Sequence, residues 1–202
     1  MAKLIVYYAH PGHPYSQSNR PMSAIAAGLD GITFVDLYSE YPRFDINADI
    51  EQRRLLDHDV ILFQFPMFWY STPSIIKEWQ DLVLEHGFAY GSGGDKLAGK
   101  TMMLAITAAG PEDAYSTGGY QHYPIRDFLR PLEQTARLCD MRFAPPYVLY
   151  GSLKAPTDGS LESHVDGYRR LLEAIRDDSY DWGAADDLEV IQSGTMPVRG
   201  EG

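Results

Sequence analysis

The sequence has one cysteine, no long apolar run and too few basic residues to balance its acids, and each shortage excludes a class of protein. Cys139 is alone among 202 residues, so there is no intrachain disulfide framework to indicate secretion. No apolar stretch approaches the ~18 residues that cross a bilayer, and Met1-Ala2-Lys3 leads into a strand pattern rather than a signal peptide. The net charge of −11 disfavours nucleic acid and anionic lipid as partners. We therefore expect a cytoplasmic protein.

Five short apolar runs alternate with amphipathic segments, which is typical of a parallel α/β sheet. The runs predict strands at 4–9, 33–37, 60–65, 100–107 and 143–150. The intervening segments predict helices that begin near Ser16 or Ser18, at 49–58, at 74–86, at 125–139 with Pro131 inside it, and at 161–176. The pattern therefore predicts a doubly wound five-stranded parallel sheet with helices on both faces, formed by residues 1–178. For the acidic and Gly/Pro-containing tail, 179–202, we expect poor order unless a partner binds it.

Three predicted loops, 10–19, 66–72 and 107–115, follow strands that end at the same edge of this sheet, where α/β proteins bind ligands. The first combines His10, Ser16, Ser18 and Asn19 with a helix N-terminus, a combination suited to a phosphate. The alternative is an ordinary loop whose serines cap the helix. Neither GxGxxG nor GxxxxGK[ST] is present in it, so the dinucleotide fingerprint and the P-loop are excluded.

The other two loops suit a flat ring. Residues 65–73 form an aromatic stretch between two prolines, which either caps the core or walls a ligand. Residues 107–110 are small enough to let the backbone approach a ligand closely. One loop thus offers hydrogen-bond donors for a phosphate, and the other two offer aromatic and small residues for a flat ring. Together at one edge of the sheet they favour a ligand resembling flavin mononucleotide.

Several segments resemble, in order and with compatible spacing, the NAD(P)H:quinone oxidoreductase family of flavodoxin-like flavoproteins. Within it, the resemblance is strongest to the bacterial ancillary subunits of glutathione-regulated potassium-efflux systems. The segments are 9–11 with Ser16 and Asn19, 65–73, 87–91, 106–107 and 145–146. The likeness spans roughly residues 3–176. It implies a flavodoxin-like fold, a homodimer, FMN or alternatively FAD as cofactor, and NAD(P)H as co-substrate.

The resemblance also implies roles for individual residues. The cofactor-binding set is His10, Ser16, Gln17, Ser18, Asn19, Met67, Phe68, Trp69, Tyr70, Thr107, Ala108, Ala109 and Gly110, and related proteins usually carry glycine where this chain has Ala109. Tyr115 and His122 resemble a catalytic proton relay, with His122 about one residue late. Phe88 and Tyr90 resemble residues that line the substrate pocket. No metal is implied.

Two functions follow from the resemblance. The first is ping-pong transfer of two electrons from NAD(P)H through the flavin to a quinone. The alternative is a regulatory protein that docks on a potassium-efflux antiporter at the inner face of the membrane, where its acidic surface would meet a basic domain. An electron-carrier flavodoxin is disfavoured, because flavodoxins use a Ser/Thr-rich phosphate loop and this loop contains histidine.

Overall fold

The computed structural model describes residues 2–200, and its strands form one parallel sheet. The strands are β1 (Leu4–Tyr8), β2 (Ile32–Asp36), β3 (Val60–Pro66), β4 (Thr101–Thr107), β5 (Arg142–Phe143) and β6 (Tyr147–Leu149). Their order is β2-β1-β3-β4-β5, and β6 also pairs with β4. Each neighbouring pair is parallel. The predicted fold class is confirmed.

The helices are α1 (Asn19–Gly28), α2 (Leu37–Glu40), α3 (Ala48–Asp57), α4 (Ser74–Val83), α5 (Arg130–Leu138), α6 (Ala155–Asp158), α7 (Ser160–Arg176) and α8 (Trp182–Asp186). Three 3₁₀ turns accompany them at His13–Tyr15, Glu112–Ala114 and Ile125–Leu129. The predicted helix 125–139 is divided at Pro131, which lies in the first turn of α5, where a missing N–H leaves no hydrogen bond unmade.

The central strands β1, β3 and β4 are buried on both faces, which explains why they read as nearly continuous apolar runs. Every residue of β1 and β3 is buried. Ile5, Tyr7 and Phe63 belong to the core on the face covered by α3, α4 and α5, whereas Leu4 and Leu62 belong to the core on the face covered by α1 and α7. Each fully buried side chain of this size contributes about 1.5–3 kcal/mol of transfer free energy.

The fifth strand position is occupied by two short strands instead of one. β5 pairs with the start of β4, and β6 pairs with its end. Pro145 and Pro146 lie between them and have no N–H to donate to the ladder, so pairing stops there and resumes at Tyr147. The prediction of one strand over 143–150 is therefore wrong in its continuity, and its position beside β4 is confirmed.

The segment after α7 packs against the domain, and the prediction of a poorly ordered tail is wrong. Tyr180, Ala185 and Ile191 are almost completely buried. Ile191 forms a parallel bridge with Tyr147 at the open edge of β6. These apolar residues are spaced irregularly among acidic and turn-forming ones, so no helix or strand period reveals them in the sequence.

Some apolar side chains of the predicted helices face solvent. Leu82, in the helix predicted at 74–86, is 39% exposed, and Leu138, in the helix predicted at 125–139, is 58% exposed. Both lie in the last turn of a helix. Cys139 is buried, and burial raises the pKa of its thiol, as expected for a core residue and not for a nucleophile. Within residues 2–200, no helix is long and apolar enough to span a bilayer.

We expect the buried His164 to make stability depend on pH. It lies on α7, 4% exposed, with its ring stacked on Tyr147 at 4.3 Å, and burial lowers its pKa to about 3. An unfolded histidine has a pKa of about 6.5, so below that pH unfolding takes up a proton that the folded protein excludes. The contribution of neutral His164 to the free energy of unfolding is therefore present above pH 6.5. It decreases as the pH falls, and about 2 kcal/mol is lost by pH 5.

Urea unfolding at several pH values between 7.5 and 5 measures this effect. His164→Gln should flatten the fall in unfolding free energy, and the exposed His122→Gln should leave it unchanged. Equal slopes for the wild type and His164→Gln would show that another group causes the pH dependence.

Candidate functional site

A cavity of about 400 Å³ opens at the carboxyl ends of β1, β3 and β4. Strand order reverses at β1, which has β2 on one side and β3 on the other, so the loops after β1 and β3 diverge there. The lining residues are His10, Gly12, Tyr15, Ser16, Gln17, Ser18, Asn19, Pro66, Phe68, Thr107, Ser152 and Leu153. All three predicted loops thus contribute to one cavity. The loop after β6, with Ser152 and Leu153, was not predicted.

Asn19 is the most constrained polar residue of this cavity. Its side chain is 2% exposed, and its Nδ2 donates to Thr107 Oγ1 at 2.7 Å. Among residues 2–200, no donor reaches its buried Oδ1. A buried oxygen without a donor costs free energy, so it marks a place where a ligand donor would be favourable.

Gln64 is a buried polar residue that hydrogen-bonds to the backbone of Asn19. It was not among the residues predicted from the sequence. Its Nε2 donates to the Asn19 carbonyl oxygen at 3.0 Å, and its Oε1 accepts from the Tyr168 hydroxyl at 3.1 Å. Gln64 is completely buried within an otherwise apolar strand. That exception in the apolar run was the available signal, because a buried amide needs partners on both its oxygen and its nitrogen.

The serines before α1 form hydrogen bonds near its N-terminus, but only Ser16 accepts from an N–H group of the first turn. Ser16 Oγ accepts from the Asn19 N–H at 3.0 Å, and Ser18 Oγ donates to the Ser152 carbonyl at 2.9 Å. The N-cap position belongs to Ser18, whose side chain makes no capping bond. The other N–H groups of the first turn have no intrahelical acceptor, and with the helix dipole they favour an anion at this end.

His10 presents a neutral imidazole to the same cavity. Its Nδ1 accepts from the Gly12 N–H at 3.0 Å, which places the ring proton on Nε2. Partial burial, reinforced by the neighbouring His13, lowers the pKa of His10. The ring packs edge-on against Phe68, with 5.7 Å between centroids. His10 therefore offers an N–H donor at neutral pH.

The loop after β3 makes a strained turn over 68–71. Phe68 and Ser71 form an antiparallel bridge, and the Ser71 N–H donates to the Phe68 carbonyl at 3.1 Å. Between them Trp69 and Tyr70 have φ values of 48° and 64°, a conformation that side chains with a Cβ adopt at a cost. Trp69 is 91% exposed, so core packing does not explain the turn.

Two predicted ligand donors are already used inside the fold. The Met67 N–H donates to the Thr107 carbonyl at 2.9 Å, and the Ala108 N–H donates to the Leu149 carbonyl at 2.8 Å. Both residues are buried, whereas the neighbouring Ala109 is exposed. Met67 and Ala108 thus join the loops to the sheet, and their N–H groups are not directed to a ligand in this structure.

The predicted relay residues occupy different environments. Tyr115 is buried, with ring neighbours Tyr150 at 5.6 Å and Phe128 at 6.2 Å, and burial raises the pKa of its phenol. His122 is exposed, with φ of 63°. Neither residue lines the cavity at α1, so the structure does not bring the pair together there.

Gly110 lies beneath two tyrosines, which explains its lack of a side chain. A Cβ at this position would meet Tyr120 Oη at 2.9 Å and Tyr115 Cε2 at 3.1 Å.

The predicted pocket residues Phe88 and Tyr90 pack, partly buried, against the core on the α3–α5 face and do not line the cavity. Within residues 2–200, no three His, Cys, Asp or Glu side chains are grouped to hold a metal.

Fold and cavity together define a flavodoxin-like α/β protein with a ligand-sized crevice at the point where strand order reverses. A family model described as "Flavodoxin-like fold" matches residues 2–172. The chain belongs to this family of flavodoxin-like NAD(P)H oxidoreductases, which confirms the resemblance drawn from the sequence.

Two curated relatives have related names. The glutathione-regulated potassium-efflux system ancillary protein KefG of Serratia proteamaculans is 45% identical over 166 residues, covering 82% of this chain and 90% of the relative. The NAD(P)H oxidoreductase YrkL of Bacillus subtilis, itself described as uncharacterized, is 43% identical over 167 residues, covering 81% and 96%. Both alignments include most of the domain.

Solved structures extend the comparison. General stress protein 14 of Treponema denticola, solved in complex with FMN, is 32% identical with a TM-score of 0.80, covering 86% of this chain and 99% of that one. A protein from Klebsiella pneumoniae described as a "putative quinone reductase" is 27% identical with a TM-score of 0.72, covering 87% of this chain and 85% of that one. Because one fold supports many activities, the function must be argued from the site.

Proposed function

We propose that this chain is a flavin-dependent NAD(P)H:quinone oxidoreductase that binds FMN, or alternatively FAD, in the crevice at the end of β1, β3 and β4. The observation that carries the proposal is Asn19, whose buried Oδ1 lacks a donor among residues 2–200 although its other groups are all bonded. The FMN complex of the Treponema relative and the names of the other relatives support the same choice.

The residues present fit a flavin by their chemistry. The N-terminus of α1, with Ser16, Gln17 and Ser18, would hold the phosphate, because N–H groups and the dipole favour an anion there. Asn19 Oδ1 would accept from a ribityl hydroxyl, and the Nε2–H of His10 would donate to a phosphate or ribityl oxygen. The segments Met67–Tyr70 and Thr107–Gly110 would enclose the ring, with the strained turn at Trp69 and Tyr70 as part of that wall.

The bound flavin would supply the redox chemistry, taking a hydride from NAD(P)H and returning two electrons to a quinone in a second half-reaction. This chain's own residues would orient the reactants and move a proton. The phenol of Tyr115 is protonated at neutral pH, and burial raises its pKa further. Tyr115 Oη would hydrogen-bond the quinone oxygen and pass it a proton that solvent replaces. His122 is the second candidate for this relay.

Steady-state oxidation of NADH and of NADPH with a benzoquinone, using FMN-loaded protein, tests the activity and the role of Tyr115. We expect quinone-dependent turnover that Tyr115→Phe reduces by about tenfold or more, because the phenol proton is lost. The matched control is Tyr38→Phe, since Tyr38 lies on α2 against Phe44, lines neither the cavity at α1 nor the one beside Tyr115, and should not affect turnover. Flavin-loaded protein without quinone-dependent turnover would refute the enzyme proposal.

A second role, as an ancillary protein docked on a potassium-efflux antiporter, is favoured by the 45% identity to a KefG protein. The net charge of −11 suits a basic cytoplasmic domain of such a partner. Co-purification with an antiporter from the same genome, weakening as salt rises, would support this role. Absence of binding at low salt, with the antiporter active, would refute it.

We also propose a homodimer. Trp69, Tyr120 and Tyr123 are exposed aromatic side chains in the turn at 68–71 and the loop after β4. A second subunit covering them would remove large apolar surfaces from water. Light scattering should give a mass near twice 22.7 kDa, and a monomer at high protein concentration would contradict the proposal.

A further inference from the structure

Residues 177–200, here called the strap, lie beyond the family match, which ends at residue 172. They cross the open edge of the sheet at β6. The Ile191 N–H donates to the Pro146 carbonyl at 2.9 Å, and the Val148 N–H donates to the Ile191 carbonyl at 3.0 Å. Val190 packs on the core of one sheet face and Ile191 on the core of the other, the alternation of a strand. The strap is therefore fixed to the sheet.

From this fixed position the strap holds both ends of one loop, residues 112–126. Gln192 Nε2 donates to Glu112 Oε1 at 2.9 Å, where the loop begins. Arg126 Nη1 donates to the Glu189 carbonyl at 3.2 Å, where the loop ends. Fixing both ends of a flexible segment reduces the number of conformations open to it.

Tyr115 is coupled directly to the first of these bonds. Its N–H donates to the Glu112 carbonyl at 3.0 Å. Its ring lines a cavity of about 460 Å³ together with Glu112, and Glu189 and Val190 of the strap form part of the same wall. A displacement of the Glu112 backbone would therefore change the position of Tyr115.

Gln192 is prepared for this contact by a local turn. Its N–H donates to Thr195 Oγ1 at 3.0 Å, and the Thr195 N–H donates to its carbonyl at 3.1 Å. With the backbone fixed, only the side-chain torsions of Gln192 are restricted when it bonds Glu112. The contact is exposed to solvent, so its contribution is at the low end for a hydrogen bond to a charged group.

We propose that Gln192 is a positioning residue, which keeps the loop carrying Tyr115 in the place from which the phenol serves the quinone. This inference rests on the proposed oxidoreductase function. It gives a segment outside the family match a role in the reaction.

The test uses full-length, FMN-loaded protein with three changes: Gln192→Ala, the exchanged pair Glu112→Gln with Gln192→Glu, and the strap control Asp187→Ala. Asp187 is exposed on the same segment. In Gln192→Ala, we expect kcat for quinone reduction to fall about three- to tenfold, as the loss of one such hydrogen bond predicts. FMN affinity should stay the same, and amides of 112–126 should exchange hydrogen faster.

The exchanged pair should restore both kcat and amide protection, because a hydrogen bond between the same positions is regained with donor and acceptor reversed. If Gln192→Ala changes neither kcat nor amide hydrogen exchange, the proposal is overturned. It is also overturned if the exchanged pair regains neither property while Asp187→Ala behaves as wild type. If the wild type shows no turnover, the oxidoreductase function fails. Hydrogen exchange then still decides whether Gln192 holds the loop.

Discussion

Asn19→Ala should lower the affinity for FMN by about 100-fold, which corresponds to about 2.7 kcal/mol and to the loss of hydrogen bonds in a buried site. The change removes the Oδ1 acceptor offered to the ligand and the Nδ2 donor to Thr107, so the cavity loses a ligand contact and a brace between α1 and β4. The bonds of the Asn19 backbone to Ser16 and Gln64 remain, so the first turn of α1 should stay in place. Fluorescence titration of flavin-free protein with FMN measures the affinity.

The matched control is Asn47→Ala. Asn47 caps α3, where its Oδ1 accepts from the Ile50 N–H at 3.1 Å. Its removal should cost about 1 kcal/mol of unfolding free energy and leave FMN affinity unchanged. If Asn19→Ala binds FMN as tightly as the wild type, the unpaired Oδ1 of Asn19 has no part in flavin binding.

The second large effect is on stability, and it concerns Glu51. The carboxylate is completely buried, and it accepts from Tyr41 Oη at 2.6 Å, Trp79 Nε1 at 3.0 Å and Arg54 Nη1 at 2.5 Å. Glu51→Ala would leave these three donors without their acceptor and create a void beneath α4. We expect the free energy of unfolding to fall by about 3–5 kcal/mol.

Glu40→Ala provides the comparison, because Glu40 bonds the same Arg54 at 2.8 Å from a side chain that is 41% exposed. A solvent-exposed ion pair contributes roughly 0–1 kcal/mol. Urea unfolding of both variants measures the two costs under the same conditions. If Glu51→Ala costs no more than Glu40→Ala, the buried carboxylate does not organise this part of the core.

The parts of the fold that sequence reasoning predicted are those with a local cause. β1, β3 and β4 are largely apolar because they are buried on both faces, and α1 and α4 have apolar residues at helical spacing. Strand order then brings the three predicted loops to one edge. This is why His10, residues 16–19, Phe68 and Thr107 line one cavity. Their roles in flavin binding remain predictions.

The features that sequence reasoning missed depend on contacts between distant residues. Gln64 is 45 positions from Asn19 and 104 from Tyr168, so its neighbours give no hint of its partners. The strap is similar, because Ile191 is buried where it pairs with Tyr147 and Val148, which are distant in the sequence. The left-handed turn at Trp69 and Tyr70 was also unforeseen, since aromatic residues are not the types that favour positive φ.

The most direct test of the central claim is the flavin content of the purified protein. Any flavin carried through purification can be released by heating the protein and identified by mass spectrometry. Titration of the flavin-free protein with FMN and with FAD gives the stoichiometry. The proposal predicts about one flavin per chain, with FMN the expected species. A colourless protein that binds neither FMN nor FAD would contradict it.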